Sequence, residues 1–300
     1  MKKIVVISIL LSLAAASFAQ GTAGRFLDMG SDARFLSVAG SSAAAEATSH
    51  AVWNNGAAVP YSEKTMSVSA GYAKWRPDLS GLSALSASGF GRIADKIGVF
   101  AGFRHARYGS YEIADQNGVY GARFTPREMD LAVGAAYRIA KKISASVSMH
   151  YVSSDLGAPK TASAVAADLG LQYRTEKFGL ALTASHLGSS LDYGGTATYR
   201  LPARADISTS YTFGFGGGKH SLGLSATAGY LLFDSDFTAA AGCEFRFARL
   251  FRLAGGYAFS SGPAVPGFAS VGAGVEWKGI ALDFTYLSGN TLVFNIGYSF

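Results

Sequence analysis

The sequence predicts an all-β fold: a transmembrane antiparallel β-barrel of 14 strands with an N-terminal plug segment in its lumen. Three observations predict it. Apolar and small or polar residues alternate with a period of two, again and again, from about residue 65 to the end. The connections between these runs are alternately short and long. Large aromatics gather near both ends of the runs, as they do at the two interfaces of a membrane barrel.

Composition agrees. Charged residues make up 15% and apolar ones 49%, yet no 18-residue apolar run follows the first twenty residues, so no helical membrane span is expected. A soluble domain of this size would carry more charge on its outside. Gly is abundant at 37 and Pro scarce at 7, with small residues filling the spaces between isolated large ones. The basic excess is scattered rather than gathered into a stripe, which gives no reason to expect a nucleic-acid partner. A single cysteine, Cys243, excludes an intrachain disulfide.

The chain opens with "MKKIVVISILLSLAAASFAQ": Lys2 and Lys3, an apolar run from Ile4, then Ser17-Phe18-Ala19. This pattern predicts a signal peptide over 1–19, cleaved before Gln20, rather than a membrane anchor, for which the run is too short. No cysteine follows the cleavage site, so no lipid anchor is expected. Removing Lys2 and Lys3 lowers the net charge from +6 to +4.

Residues 20–64 are rich in small residues and lack the period of two. Such a segment is either disordered or folded inside the barrel. Its apolar residues and the tight-turn sequence "AVWNNGAAVP" favour a plug.

Strands are predicted at 65–76, 81–92, 96–107, 126–139, 142–154, 161–173, 176–187, 202–213, 218–233, 235–247, 250–259, 266–277, 279–287 and 290–300. "KISASVSMHY" and "GIALDFTYL" show the alternation most plainly. The short connections, such as "AK", "TE" and the step at Lys278, suit periplasmic turns, and the long ones suit outside loops. Tyr137, Tyr173, Phe213, Trp277 and Phe300 fall near short-turn ends, whereas Tyr72, Phe103, Tyr151, Tyr230 and Tyr286 fall toward long-loop ends. The alternative is a soluble β-sandwich, in which those large residues would point inward.

The last strand, "NTLVFNIGYSF", alternates Leu292, Phe294, Ile296, Tyr298 and Phe300 with small or polar residues. A C-terminal strand ending in Phe resembles the signal read by the outer-membrane assembly machinery, with Phe294, Tyr298 and Phe300 as its elements.

Catalytic sets are not evident. The five histidines are scattered without metal-ligand spacing. "GFGGGKH" has His220 where a phosphate loop needs Ser or Thr, and no Gly-x-Ser-x-Gly elbow occurs. Barrel enzymes that carry Ser and His on strands stay open as an alternative. No cofactor and no metal are expected. Alternation points Arg104, Asp130, Arg138, Asp168, Arg204, Asp206, Glu244, Arg246, Arg252 and Asp283 into the lumen. Both signs occur, which suits mutual pairing and plug anchoring better than an ion channel. Asp32 and Arg34 are the plug residues expected to meet this wall.

"SDARFLSVAG", then "AVWNNGAAVP", then a first strand running into "GYAKWRPDLSG", resembles the opening of the PorV/PorQ family. These are outer-membrane barrels of the type IX secretion system, related to FadL-type transporters of hydrophobic compounds. "FTPREMDL", "YVSSDLG", "AADLGLQYR" and "LPARADIS" extend the resemblance over most of residues 26–210. One position departs: the family has Trp-Asn-Pro where this chain has Trp53-Asn54-Asn55. The resemblance implies a plug turn around Trp53 and Asn54 that meets the lumen. It implies a multi-pass barrel in the outer membrane of a Gram-negative, Bacteroidetes-type bacterium, with membrane lipid and the assembly machinery as partners. It also implies a non-enzymatic adaptor that holds exported cargo or translocon subunits through its extracellular loops. On that reading Tyr108, Tyr111, Tyr120 and Phe124 of the loop before the fourth strand are the partner-binding candidates; otherwise they are ordinary girdle and loop residues. Two alternatives stand beside the adaptor: a FadL-like passive transporter of hydrophobic small molecules, and a purely structural barrel.

Overall fold

The computed structural model describes residues 19–76, 81–114 and 120–300. Most of the expected signal peptide, the "PDLS" loop and the tip of the 108–125 loop lie outside the described residues.

Fourteen antiparallel strands close into one barrel. They are β1 (Met66–Trp75), β2 (Leu82–Ala94), β3 (Ile97–Arg107), β4 (Arg127–Ala140), β5 (Ile143–Asp155), β6 (Ala162–Arg174) and β7 (Phe178–Gly188). The second half is β8 (Arg204–Phe215), β9 (His220–Leu231), β10 (Asp236–Phe247), β11 (Phe251–Ser260), β12 (Phe268–Trp277), β13 (Ile280–Leu287) and β14 (Thr291–Ser299). Each strand pairs with its sequence neighbours, and β14 pairs with β1 from Leu292↔Lys74 to Ser299↔Ser67. Closure leaves no strand edge unpaired, which a chain in hydrocarbon requires. The fourteen-stranded barrel expected from alternation is thus the fold.

The alternation sorts the two faces as a lipid-embedded barrel requires. Leu253 is 62% exposed, Trp277 60%, Tyr257 59% and Val271 58%, all on the outside. A soluble sandwich would bury these side chains, so that alternative falls. Phe294, Tyr298 and Phe300 are on the same outer face, and the Phe300 carbonyl accepts from the Met66 amide at 3.0 Å, finishing the seam.

The segment ahead of β1 crosses the lumen. Ala19–Thr22 runs parallel to Thr198–Arg200 in the β7–β8 loop, at the long-loop end. A 3-10 turn follows at Arg25–Asp28, then α1 (Ala33–Ser37), α2 (Ala51–Asn54) and a second 3-10 turn at Gly56–Tyr61. At the short-turn end Lys64 Nζ donates to Glu276 at 2.8 Å, and the chain enters β1.

Helix α1 packs against β11–β14, whereas α2 and the second 3-10 turn pack against β2–β6, so the segment touches opposite walls. The buried apolar clusters form where it does so: Val52 and Val59 with Phe90 and Phe100, Leu36 with Leu287 and Val293, and Phe26 and Leu27 with Leu82 and Val152. The core of this protein is the interface between plug and wall.

That interface explains many of the glycines. Gly242 and Gly256 face Val38, and an added Cβ would stand 2.6 Å and 2.5 Å from its atoms; at Gly102 it would stand 2.6 Å from the Trp53 ring. Only glycine lets the backbones come this close.

Candidate functional site

The plug does not fill the lumen. Toward the long-loop end it leaves a cavity of about 420 Å³ between its first half and strands β7–β13. Leu27, Met29, Phe35 and Leu36 form the plug side of it. Thr183, Ser208, Thr227, Ala240 and Ala258 of successive strands form the wall, with Phe268 and Leu287 beyond them and Trp75 and Leu82 at the rim. At these five places the inward position of the strand carries Thr, Ser or Ala, while Arg204, Asp206 and His186 bring polar groups to the same wall. The plug supplies the large apolar surface.

Charged groups border the cavity, and most are held by partners. Arg204 is 2.6 Å from Asp206. Arg25 binds Asp28 at 3.2 Å and Asp234 at 2.5 Å, and Thr22 donates to Asp234 at 2.8 Å. Arg104 is buried. It donates to Asp130 at 2.9 Å and to the Met29 carbonyl at 3.1 Å, and stacks 4.7 Å from the Trp53 ring. From Asp130 a buried chain continues: His150 Nδ1 lies 3.0 Å away, its Nε2 lies 3.2 Å from Asp168, and Asp168 accepts the His186 amide at 2.7 Å. Such pairing neutralises the wall, so the cavity presents apolar surface and fixed dipoles rather than a net charge. On the plug, burial pushes the Asp28 carboxyl above its usual range, and one of its oxygens, Oδ1, has no hydrogen-bond partner.

Beside the cavity the wall is irregular. Between β6 and β7 the register jumps from Ala184↔Leu169 to Leu187↔Ala167, and His186 takes φ 58. This is a β-bulge, which turns His186 inward, where its Nδ1 lies 3.1 Å from the Pro202 carbonyl. The other register breaks of the barrel wall, at Arg92/Ala94 and Arg138/Ala140, lie at short turns.

The structure separates the residues singled out from the sequence. Arg34 reaches the wall: its Nε and Nη2 donate to the two Glu244 oxygens at 2.9 Å and 3.0 Å. Trp53 does so too, donating Nε1–H to Asp130 at 2.8 Å. Asp32 and Asn54 bond within the plug instead. Asp32 caps α1 by accepting the Phe35 amide at 3.2 Å and also accepts from Thr48 at 2.6 Å and Asn54 at 2.8 Å. A carboxylate just ahead of a short helix serves its own orphan amides first. Among the wall contacts that the sequence did not show is Asn55, next to Asn54, beside others made by plug backbone, such as the Ala33 carbonyl accepting from Thr285 at 2.6 Å and the Ser37 carbonyl accepting from Ser270 at 2.9 Å. Asn55 donates to Gln172 at 2.8 Å, while its Oδ1 accepts the Ala57 amide at 3.0 Å and caps the second 3-10 turn. Its place in the Trp-Asn-Pro comparison was the signal. An Asn has a side-chain amide to spend on the wall, which Pro lacks.

The loop aromatics also divide. Tyr108 is partly buried beside the Phe26 and Leu27 cluster and donates its hydroxyl to Glu128. Burial raises its pKa further beyond the phenol range. It ties the start of the loop to β4 through Glu128 and packs against the cluster in which plug and wall meet, rather than standing free on the surface. Tyr111 is exposed, donates to the Leu156 carbonyl at 2.9 Å, and sits edge-on to Phe124 at 5.7 Å. The Tyr120 side chain lies outside the described residues.

No family model and no curated protein matches the sequence. Solved structures do match the fold. The Pseudomonas putida toluene transporter TodX aligns over 94% of this chain and 98% of its own, with TM-score 0.66 and 12% identity. The Ralstonia pickettii toluene transporter TbuX covers 88% and 97%, with TM-score 0.57 and 12% identity. A Pseudomonas aeruginosa FadL homologue covers 90% and 95%, with TM-score 0.51 and 11% identity. At such identities the likeness is one of fold: this chain has the FadL-like plugged barrel. The resemblance to the secretion family gains no support from these matches.

Proposed function

We propose that this FadL-like barrel is a non-enzymatic outer-membrane channel for hydrophobic small molecules, which rest in the luminal cavity before passing the plug. The observation that carries the reading is the cavity itself. The plug forms one side of it, it is lined by Leu27, Met29, Phe35, Leu36 and Phe268, and the charges that border it are mostly paired. A volume of about 420 Å³ suits a molecule of modest size. Two of the neighbours that share the fold are toluene transporters, which supports the same class of ligand. The bulge at Ser185–His186 gives the wall a weak point beside the cavity, suited to a sideways exit into the membrane. On this reading the plug contacts act as the gate: Arg34–Glu244 and Trp53–Asp130 hold the plug against opposite walls and would have to shift for a ligand to pass straight through.

The adaptor role in secretion rests on the sequence resemblance alone, and the hydrogen bond from Tyr108 to Glu128 removes one of its loop anchors from the surface.

Liposomes carrying the protein should take up labelled toluene or a labelled medium-chain alkane faster than protein-free liposomes. Ligand binding should change the emission of Trp53 and Trp75, which both border the cavity. Uptake no faster than in empty liposomes, with unchanged emission, would refute the reading.

A further inference from the structure

The outer wall carries a second feature, unrelated to the lumen. Along each strand the outward positions are every second residue, and they are almost all apolar or small. Among the described outward strand positions, the residues with a formal charge are Lys74, Arg107, Arg127 and Asp155. All four sit at the long-loop ends of β1, β3, β4 and β5.

Registry makes them a single row. Lys74 is opposite Ser83, Ser83 opposite Arg107, Arg107 opposite Arg127, and Arg127 opposite Asp155. With strands about 4.8 Å apart, the three cations span roughly 15 Å of wall. Lys74, Arg107 and Arg127 are all exposed. Asp155 partners Arg127 at 3.2 Å, and no carboxylate among the described residues pairs with Lys74 or Arg107. Among the described residues, then, two of the three cations in the row have no carboxylate partner.

Two facts decide against an ordinary solvated rim. On β9–β14 the outward long-loop ends are Tyr230, Phe237, Phe259, Ala269, Tyr286 and Leu292, with no charge. The basic positions are therefore confined to one sector. Within it, Arg107 and Arg127 stand directly opposite each other, an arrangement that is destabilising unless an anion lies between them. The next outward level below the row holds Tyr72, Leu85, His105 and Met129, and the level below that Phe103, Leu131 and Tyr151, so that apart from His105 the wall under the cations is apolar and suited to acyl chains.

The geometry points to a binding site for a lipid with two phosphate groups in the outer leaflet, its phosphates held by Lys74, Arg107 and Arg127 and its chains lying on Tyr72, Phe103 and Leu131. Guanidinium forks suit phosphate oxygens. One phosphate cannot reach from Lys74 to Arg127, whereas a headgroup carrying two can bridge the row.

The test is native mass spectrometry of the detergent-extracted full-length protein. It would be titrated with bisphosphorylated lipid A, with the same lipid after removal of both phosphates, and with phosphatidylglycerol. The wild type should hold bisphosphorylated lipid A most tightly. The variant K74Q/R107Q/R127Q should bind it roughly tenfold to a hundredfold more weakly. The variant K141Q/K142Q/K278Q, which removes equal charge at the short turns, should bind as the wild type does. Equal binding by the first variant and the wild type would overturn the site. So would equal affinity for the dephosphorylated lipid, which would mean chain packing alone, or for phosphatidylglycerol, which would mean net charge alone. If the triple variant lacks the heat-modifiable mobility of a folded barrel, R107Q takes its place. Wild-type retention must in addition fall between ~0.05 and ~0.5 M salt, and retention indifferent to salt would equally sink the site.

Discussion

Replacing Glu244 by Gln tests whether the plug is latched to the wall through Arg34. In the native protein both Glu244 oxygens accept from Arg34, at 2.9 Å and 3.0 Å, with the side chains 18% and 21% exposed. Removing one partner of a fully buried ion pair costs about 3–5 kcal/mol. Here the cost is smaller, because Gln keeps one acceptor and Glu46 stands 3.7 Å from Arg34 as a second carboxylate. A loss of about 2 kcal/mol remains, taken from plug seating rather than barrel closure. That corresponds to roughly a 30-fold rise in the population with α1 released. Hydrogen–deuterium exchange in reconstituted vesicles reads this directly. Amides of Ala33–Ser37 should exchange about 30-fold faster, and those of the barrel strands at their native rate. Unchanged exchange in α1 would show that the pair does not hold the plug. Equal acceleration in the strands would show that it holds the whole barrel.

Other outcomes follow from the same contacts. Gly256→Val places a side chain against Val38, 2.5 Å from its carbonyl carbon at the Cβ alone. The plug should fail to seat, seen as raised single-channel conductance from a barrel that is still heat-modifiable. Tyr108→Phe leaves Glu128 with Ser154 as its remaining described donor and should lower the thermal midpoint, with a loss of about 1–2 kcal/mol measured by near-ultraviolet circular dichroism. Phe300→Asp should reduce the protein found in the membrane far more than Tyr111→Ser does; equal amounts on an immunoblot of membrane fractions would remove the assembly-signal reading. Asp28 has a folded-state pKa raised by burial, so its contribution to stability is complete below the unfolded value of about 3.9 and is lost as pH climbs through the raised value. Protection of the Arg25–Asp28 amides should therefore fall with rising pH, and Asp28→Asn should flatten that dependence.

The barrel was legible because its physics is local. A strand between lipid and lumen must alternate, and "KISASVSMHY" does so whatever lies around it. The plug was legible only as an exception to that period. Its contacts depend on residues more than 200 positions away, such as Arg34 with Glu244, and no local rule pairs them. Asp32 shows the limit well. Its charge suggested a wall contact, but a helix start three residues ahead of Phe35 claimed it first. The His186 bulge carried no glycine or proline signal, and the cavity is a space between segments, which no stretch of sequence contains. The parallel pairing of Ala19–Thr22 with Thr198–Arg200 was equally hidden, since "AQGT" has no alternation to read.

The lumen segment is fixed at both mouths of the barrel, by Thr198–Arg200 at one and by Lys64–Glu276 at the other. This makes biogenesis an ordering problem. The Ser37 carbonyl accepts from Ser270, 233 positions later, so the first-made part of the chain waits for nearly the last. Either the β14–β1 seam zips shut around a strand of polypeptide already laid in place, or that polypeptide is drawn through a finished pore. The first route joins seating and closure in a single event with a large loop-closure entropy, and the second splits them into fast and slow phases. A refolding time course that resolves one phase or two would show which history each molecule has had.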